Sequence, residues 1–370
     1  MTITPPARDA VPWSAGPGSG VPPLADTAEV GPIGSPTPNW PGRRVTSGGV
    51  TLHVRETPGP AGAPGPAGAR GPAGTVVFVH GLGGSATNWT DLAAGLSTRL
   101  RGLAIDLPGF GRSDPPAGGD YSLAAHADAV LGFLAGRGEP VHLVGNSLGG
   151  AVALVVAARR PDLVSTLTLV SPAMPDLRPS PTRLGDPRLA LAFLPVVGGR
   201  WRAEHAAEDA RVRLRRTMRL CYADPAQVSD AAFELAASEA AERAGLPWSA
   251  AALQGSFTGL LTTWLAPRRR SLWATARRVT APTLVVWGER DRLVNVRKAA
   301  RTAAALPAGR LLRLPGVGHV AQMERPALVS RAVLGLVDAA AAGTWAPRGA
   351  DVGPFVRGEI GAGAVAAPPR

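Results

Sequence analysis

A serine in a glycine-rich turn is the residue best placed to do chemistry. Ser147 is the third residue of the run Gly145–Gly150, which joins an apolar strand-like segment to an apolar helical segment. A turn this tight imposes strained backbone angles on its central residue, and glycines on both sides remove side chains that would clash. The hydroxyl is then presented at the N-terminus of a helix, where the dipole favours developing negative charge. The pattern therefore predicts that Ser147 is a nucleophile.

A serine hydroxyl attacks efficiently only when a base accepts its proton, and the chain has six histidines. His319 follows the last strand-like run on a glycine-rich loop, at the strand ends where the serine is expected. It is therefore the predicted base. Four other histidines are less well placed, because they lie in strand or helix patterns, in the first hairpin or in a long helical region: His53, His126, His142 and His205.

An acidic residue must hold the imidazole in the correct tautomer and stabilise the imidazolium. Asp291 lies just beyond the strand-like run that precedes His319, and we predict that it has this role. Glu289, two residues earlier, and Asp176, which follows another strand-like run, remain as alternatives.

Six short apolar runs, mostly β-branched and ending in turn residues, predict the strands that position these side chains. They are residues 75–81, 101–109, 140–146, 165–172, 281–288 and 310–316. Helical patterns lie between several of them, and this alternation indicates an α/β protein with a mostly parallel sheet and helices on both faces. Residues 174–265 interrupt the alternation with helical patterns alone. We expect them to form a helical cap over the carboxyl edge of the sheet, where ligands bind.

The α/β core is expected to span residues 39–173 and 266–343. Residues 1–38 and 344–370 are rich in Pro, Gly and Ala and have no hydrophobic period. Both segments are therefore predicted to be disordered tails.

A low-complexity segment interrupts the first part of the core. Residues 59–74 carry glycine at every third position, which is the collagen period. A segment this short is a poor trimerising unit. It lies between the strand-like runs 50–56 and 75–80, so we interpret it as an insertion in a surface hairpin loop.

The composition of the 370-residue chain limits its partners and cofactors. Cys221 is the single cysteine, which excludes an internal disulfide framework and a multi-cysteine metal site. No metal-ligand cluster or phosphate-binding Gly-Lys-Ser/Thr loop is found, so neither a metal nor a cofactor is predicted. No apolar run is long enough to span a bilayer, and there is no secretory signal, so a cytoplasmic location is expected.

The net charge of +12 comes almost entirely from arginines spread along the chain. A nucleic-acid-binding protein concentrates its basic residues in a recognisable motif, and none is present, so no nucleic acid partner is expected. Weak association with an anionic membrane surface is the alternative that the charge leaves open.

Five motifs together resemble those of α/β-hydrolase-fold serine hydrolases of the esterase and lipase type, over residues 40–341. In chain order they are His80–Gly84, Asp106–Ser113, the Ser147 turn, the Asp291 loop and the His319 loop. The succession of serine, aspartate and histidine along the chain is the one expected for this fold.

The resemblance implies further roles. The backbone N–H groups of Leu82 and Leu148 are expected to form an oxyanion hole, which agrees with the need for two donors beside the nucleophile. His80 and the turn Asp106–Ser113 are expected to shape the loops around the site.

The expected activity is hydrolysis of a carboxylic ester with a fairly apolar acyl group, through an acyl-enzyme on Ser147. Serine in the turn argues against haloalkane dehalogenases and many epoxide hydrolases, which have aspartate there. The turn is also similar to that of the meta-cleavage-product hydrolases, which cleave carbon–carbon bonds, but Val320 follows His319 where those enzymes usually have tryptophan. Cofactor-free haloperoxidases and perhydrolases share the triad, so peroxidative chemistry stays open as well. A non-catalytic scaffold that binds a ligand or a membrane is the last alternative.

Five residues of the expected cap could line an acyl pocket or form the core of the cap. They are Trp201, Met218, Trp248, Phe257 and Trp264.

Overall fold

A mixed sheet forms the centre of the computed structural model, which describes residues 14–15, 22–34, 37–60, 74–176 and 208–345. Within this part of the chain the strands are β1 (Ser14–Ala15), β2 (Gly42–Ser47), β3 (Val50–Thr57), β4 (Thr75–Val79), β5 (Arg101–Ile105), β6 (Val141–Asn146), β7 (Val164–Val170), β8 (Thr283–Gly288) and β9 (Gly309–Leu314). Their order across the sheet is β1-β9-β8-β7-β6-β4-β5-β3-β2.

Strands β4 to β9 are the six central strands, and they pair in parallel. Strands β1, β2 and β3 lie at the two edges and pair in antiparallel fashion. Every residue of β4, β6 and β8 is buried. Their near-continuous apolar, β-branched sequences are those of strands covered on both faces. The predicted α/β class and all six predicted parallel strands are therefore confirmed.

Helices cover both faces of the sheet. The core helices are α1 (Thr90–Leu96), α2 (Leu123–Ala135), α3 (Leu148–Arg159), α7 (Leu272–Ala276), α8 (Arg297–Ala305), α9 (Ala321–Glu324) and α10 (Pro326–Ala341). Helices α2, α3, α7 and α8 contribute to one apolar cluster, and α1 and α10 contribute to a second one. Two apolar layers with the sheet between them account for the burial of its central strands.

Three more helices lie in the chain between β7 and β8. They are α4 (Ala210–Cys221), α5 (Asp230–Ala244) and α6 (Ser249–Trp264). We call residues 208–265 the helical insert. Within this range the described residues form helices, turns and loops without a strand, whereas residues 177–207 lie outside the described part of the chain.

Both expected tails need correction where they meet the core. Residues 22–34 lie against α1 and α10: Gly31 N–H donates to Gly95 O at 2.8 Å, and Ala25 N–H donates to Arg331 O at 3.0 Å. Trp345 is 5% exposed, and its Nε1–H donates to Ala308 O at 2.8 Å. These segments dock through backbone groups and single side chains, which leave no hydrophobic period in the sequence. The remainder of both predicted tails is almost entirely outside the described residues.

The hairpin predicted around residues 59–74 is wrong. Strand β3 pairs with β2 and β5, whereas β4 pairs with β5 and β6. Strand β5 therefore lies between the two strands that the segment joins, so the connection crosses over a neighbour. The short separation of β3 and β4 in sequence predicts a hairpin, but in the sheet β5 pairs with both strands and separates them. Residues 61–73 themselves lie outside the described residues.

Candidate active site

Ser147 lies in a strained turn between β6 and α3. Its φ is +54°, in a region that residues other than glycine seldom adopt. A Cβ atom at Gly145 would overlap the backbone of Gly149, and a Cβ atom at Gly149 would overlap the carbonyl oxygens of Val79 and His80. Only glycine fits at both positions, as the sequence predicts. The turn is held from outside as well, because Ser147 N–H donates to Val170 O at 3.0 Å.

The structure brings Asp291 and His319 together at the carboxyl ends of β8 and β9. His319 Nδ1 lies 2.8 Å from Asp291 Oδ2, and both side chains are almost fully buried. Asp291 Oδ1 accepts the N–H groups of Leu293 and Val294, each at 2.8 Å. One carboxylate oxygen is therefore fixed by its own loop, and the other faces the imidazole.

The two alternative acids have other partners. Glu289 forms an ion pair with Arg313 at 2.7 Å, and the buried Asp176 pairs with Lys298 at 3.3 Å. Neither is the residue at His319 Nδ1. The geometry thus favours Asp291 over both alternatives.

Asn146 connects the serine turn to the histidine loop. Its Nδ2 donates to Val170 O at 3.0 Å and to His319 O at 3.2 Å. The residue before Ser147 therefore holds the main chain of His319. Sequence reasoning did not single out Asn146, because its partners lie far along the chain.

The loop after β4 passes beside Ser147. A Cβ atom at Gly81 would lie 3.1 Å from Ser147 Cβ, a contact tighter than most, so glycine allows the loop to pass this close to Ser147 without a shift. Among the described residues, no backbone or side-chain acceptor receives the N–H of Leu82 or of Leu148. Both groups are thus available to a ligand beside Ser147.

Buried polar contacts support the neighbouring loops. Asp106 accepts hydrogen bonds from Ala86 N–H and Arg112 N–H, and its Oδ2 lies 2.8 Å from His53 Nδ1. His80 accepts Leu107 N–H at Nε2 and lies 2.7 Å from Gly81 O through Nδ1. Burial lowers the pKa of His80, so this imidazole is held neutral.

The helical insert contributes side chains close to these loops. A Cβ atom at Gly83 would lie 3.5 Å from Leu253 of α6, and Trp264 Nε1–H donates to Ala173 O at 3.0 Å. Met218 and Tyr222 form a buried cluster with Val320, the residue after His319.

The five aromatic or soft residues predicted for the cap differ in position. Met218 is buried in the cluster at the histidine loop, and Trp264 packs against the main core. Trp248 lines a charged cavity of about 320 Å³ between the insert and the Asp106 turn, whose lining includes none of Ser147, Asp291 and His319. Phe257 is half-buried on α6, and Trp201 lies outside the described residues.

The described residues contain neither a cluster of candidate metal ligands nor a helix suited to cross a membrane. No group of three or more His, Cys, Asp and Glu side chains there is arranged to hold a metal ion. No helix in the same part of the chain combines the length and apolar character needed to cross a bilayer.

Comparison with known proteins places this geometry in context. A family model described as the alpha/beta hydrolase fold matches residues 74–326. The dihydrolipoyllysine-residue acetyltransferase component of the acetoin cleaving system from Cupriavidus necator is 31% identical over 254 residues, which are 68% of this chain. The match covers 60% of that relative's length.

Two other matches are informative. A 2-hydroxy-6-oxononadienedioate/2-hydroxy-6-oxononatrienedioate hydrolase from Cupriavidus pinatubonensis is 27% identical over 269 residues, covering 70% of this chain and 85% of the relative. The crystal structure of a bacterial membrane phospholipase A superposes with a TM-score of 0.64 at 23% identity, covering 82% of this chain and 87% of that one. At this identity the solved structure shows a shared fold.

Proposed function

Because the chain belongs to the α/β-hydrolase family, we propose that it is a serine hydrolase that cleaves a carboxylic ester with a fairly apolar acyl group. One observation carries the proposal: His319 Nδ1 lies 2.8 Å from Asp291 Oδ2, at the same sheet edge as the strained turn of Ser147. A histidine oriented by a buried carboxylate is suited to accept the proton of a nearby hydroxyl.

The reaction proceeds in two halves. His319 Nε2 takes the proton of Ser147 Oγ as that oxygen attacks the ester carbonyl, and Asp291 stabilises the imidazolium. The N–H groups of Leu82 and Leu148 donate to the negatively charged oxygen of the tetrahedral intermediate.

Collapse of the intermediate breaks the bond to the alcohol oxygen. That oxygen takes the proton from His319, the alcohol leaves, and the acyl group remains on Ser147. Water then attacks the acyl-enzyme with His319 as base, and the second intermediate releases the acid and restores the Ser147 hydroxyl.

Apolar side chains of the helical insert are the reason for proposing an apolar acyl group in the substrate. Leu253 lies against the loop that carries Leu82, and Met218 and Tyr222 lie against the residue after His319. Apolar side chains near the reacting groups favour apolar substrates, because burial of apolar surface is the main contribution to their binding.

Hydrolysis of p-nitrophenyl esters of graded acyl length tests the proposal. Wild-type protein should release p-nitrophenol, and Ser147→Ala should retain about a thousandth of the rate or less, because the oxyanion donors alone give only residual catalysis. Ser97→Ala removes a hydroxyl that caps α1 away from the site, and it should behave as wild type. Turnover by Ser147→Ala within tenfold of wild type would contradict this mechanism.

Carbon–carbon bond hydrolysis is the second candidate. The relative from Cupriavidus pinatubonensis is named as a hydrolase of 2-hydroxy-6-oxononadienedioate and 2-hydroxy-6-oxononatrienedioate, and the turn around Ser147 resembles that of meta-cleavage-product hydrolases. Loss of the visible absorbance of a dienone acid, with poor turnover of simple esters, would support this reading. Folded protein without either activity would favour a non-catalytic scaffold.

We also propose that the protein is cytoplasmic and that it associates weakly with anionic membrane surfaces. Residues 244–288 contain no acidic side chain, and Arg268, Arg269, Arg270, Arg277 and Arg278 within them are exposed. Leu265, next to this cluster, is 70% exposed. Exposed arginines beside an exposed apolar residue fit a surface of anionic head groups over acyl chains.

A further inference from the structure

The end of α4 in the helical insert packs directly on the loop that carries His319. Cys221 O accepts His319 N–H at 2.7 Å. A Cβ atom at Gly318 would lie 2.5 Å from Cys221 O and 2.6 Å from Ala223 N, so only glycine permits this approach. The insert and the histidine loop are therefore fitted to each other at backbone level.

A buried carboxylate joins the same two segments. Glu324 of α9 is 9% exposed, and its Oε1 accepts Gly318 N–H at 2.8 Å. Its Oε2 accepts Ala223 N–H at 3.0 Å. One side chain thus binds the backbone before His319 and the backbone after α4, with charge-assisted hydrogen bonds when the carboxylate is ionised.

The loop of the orienting acid is attached to α4 as well. Arg292 Nη1 donates to Arg219 O at 2.5 Å and to Tyr222 O at 3.0 Å, and its Nη2 donates to Ala223 O at 3.3 Å. These carbonyls lie at the C-terminal end of α4, where unpaired acceptors and the helix dipole favour a cation. The residue after Asp291 therefore holds the same end of α4 that Glu324 holds.

The Asp291 contact alone does not fix the position of His319. It orients the imidazole ring, but the ring is carried by a loop that contains Gly316 and Gly318, and glycines leave the main chain conformationally free. The backbone must be restrained by other contacts. Asn146 supplies one restraint at His319 O, and the α4 end with Glu324 supplies the other.

We propose that Glu324 is a positioning residue for His319, which it holds by binding the His319 loop to the end of α4. The inference rests on the proposed function, in which His319 is the base. It makes the helical insert part of the support of the catalytic histidine. Loss of the carboxylate should let the loop move while Asp291 and Ser147 remain unchanged.

The test compares Glu324→Ala and Glu324→Gln with a matched control. Glu56→Gln removes another partly buried glutamate, which pairs with Arg43 and Arg101 at the far edge of the sheet. A fluorophosphonate probe reports on the serine: its phosphorus bonds to Ser147 Oγ, fluoride leaves, and His319 accepts the serine proton. The rate of this labelling therefore depends on the position of His319 and not on the natural substrate.

Misplacement of a base by about 1 Å lowers rates about 100-fold, so Glu324→Ala should label about 10- to 100-fold more slowly than wild type. Glu324→Gln keeps one acceptor oxygen and should show a smaller loss. Glu56→Gln should label at the wild-type rate even where its melting temperature falls. A purely structural role for Glu324 would lower the melting temperature of the folded variants and leave their labelling rates unchanged.

A second measurement does not depend on reactivity. The proton between His319 Nδ1 and Asp291 Oδ2 should give a low-field NMR signal, assigned by its loss in Asp291→Asn. This signal should shift or broaden in Glu324→Ala and stay in place in Glu56→Gln. It serves also if Glu324→Ala folds poorly, because Glu324→Gln can be measured in its place.

The outcomes separate the two proposals. Folded Glu324 variants with wild-type labelling and an unchanged NMR signal would overturn the role of Glu324. Wild-type protein whose Ser147 does not react with the probe would overturn the proposed function instead, and the NMR comparison would still decide whether Glu324 positions His319.

Discussion

The strained backbone of Ser147 is held in place by close backbone contacts, which are possible because the neighbouring residues Gly145 and Gly149 have no side chains. The positive φ of Ser147 is uncommon for a residue with a Cβ atom and costs about 1–3 kcal/mol, so the surroundings must enforce it. The enforcing contacts are the close backbone approaches at Gly145 and Gly149, together with the hydrogen bond from Ser147 N–H to Val170 O.

Gly149→Ala tests this argument. The added methyl group would overlap the carbonyl oxygens of Val79 and His80, so either α3 or the strand end must move. We expect a loss of ~1–3 kcal/mol in the free energy of unfolding, measured by urea denaturation, together with a large loss of esterase rate. Gly136→Ala is the control, because its φ of −74° suits alanine and its new contacts would be ordinary ones. Equal stability of both variants would contradict the argument.

Local sequence was sufficient to place residues whose position in the fold follows from the patterns around them. Ser147 lies between a strand pattern and a helix pattern, and Asp291 and His319 each follow a strand pattern, so the structure brings the last two together where expected. Glu324 and Asn146 were missed for the opposite reason. Their partners are backbone groups more than twenty residues away or on loops without a pattern, and only the folded chain shows such contacts.

At the scale of elements, the described helices of the insert are attached to the loops of the site and to the core that carries these loops. Helix α4 ends on the histidine loop, and α5 binds the loop after β4, because Glu239 Oε2 accepts Thr87 Oγ1–H at 2.8 Å and Arg243 donates to Ser85 Oγ at 2.9 Å. Helix α6 contacts the core through Trp264 and through Ser256. Movement of α4 would thus disturb the loops of Asp291 and His319, whereas movement of α5 or α6 would disturb the loop after β4.

We expect the contact of α6 with α2 to be sensitive to pH. His126 of α2 is 1% exposed, and its Nε2 lies 2.8 Å from Ser256 Oγ of α6. Burial, helped by His80, lowers the pKa of His126 to about 4, whereas Asp120 acts in the opposite direction. The folded state therefore holds this imidazole neutral, and the unfolded state binds a proton near the ordinary pKa.

This difference makes stability fall with acidification. Because the pKa of His126 is lower in the folded state than in the unfolded state, His126 favours the folded protein fully only at pH values above its unfolded-state pKa. This stability is lost as the pH falls from about 6.5 towards 4. Urea denaturation should show a loss of ~1.4 kcal/mol per pH unit in this window from His126 alone. His126→Gln cannot protonate and should lose less stability between about pH 7 and pH 5. Equal losses in both proteins would show that His126 does not contribute.

The elements also show where sequence reasoning stops. Strand and helix identities followed from apolar periodicity, because burial on both faces of a parallel sheet requires continuous apolar runs. Strand neighbours did not follow in the same way. The segment from β3 to β4 looks like a hairpin in sequence, yet β5 inserts between them through its own pairing, with Thr57 opposite Gly102 and Thr75 opposite Arg101.

At the scale of the whole molecule, charge and exposed apolar surface are distributed unevenly. The large apolar residues that are most exposed in the described chain all belong to the helical insert: Val212, Leu235, Leu253 and Leu265. No described acidic residue forms an ion pair with the arginines of 268–270, 277 and 278, whereas many arginines elsewhere are paired. Cations without a nearby acid keep their long-range field, so the face formed by these five arginines should attract anionic surfaces most strongly.

Co-sedimentation with lipid vesicles tests this face. The protein should sediment with phosphatidylglycerol vesicles and much less with phosphatidylcholine vesicles, and the binding should disappear between about 0.1 M and about 1 M salt because exposed charges are screened. Each arginine near an anionic surface contributes about 1 kcal/mol, so replacing Arg268, Arg269 and Arg270 by glutamine should weaken binding about 100-fold. The matched control replaces Arg43, Arg101 and Arg313, which form ion pairs with glutamates. The net charge changes equally in both triple variants, so equal weakening of vesicle binding would show a general charge effect. If the wild-type protein does not bind anionic vesicles at all, the proposed membrane association is wrong. Selective loss in the first variant would instead place residues 268–270, with the exposed Leu265 near them in the chain, next to the lipid surface.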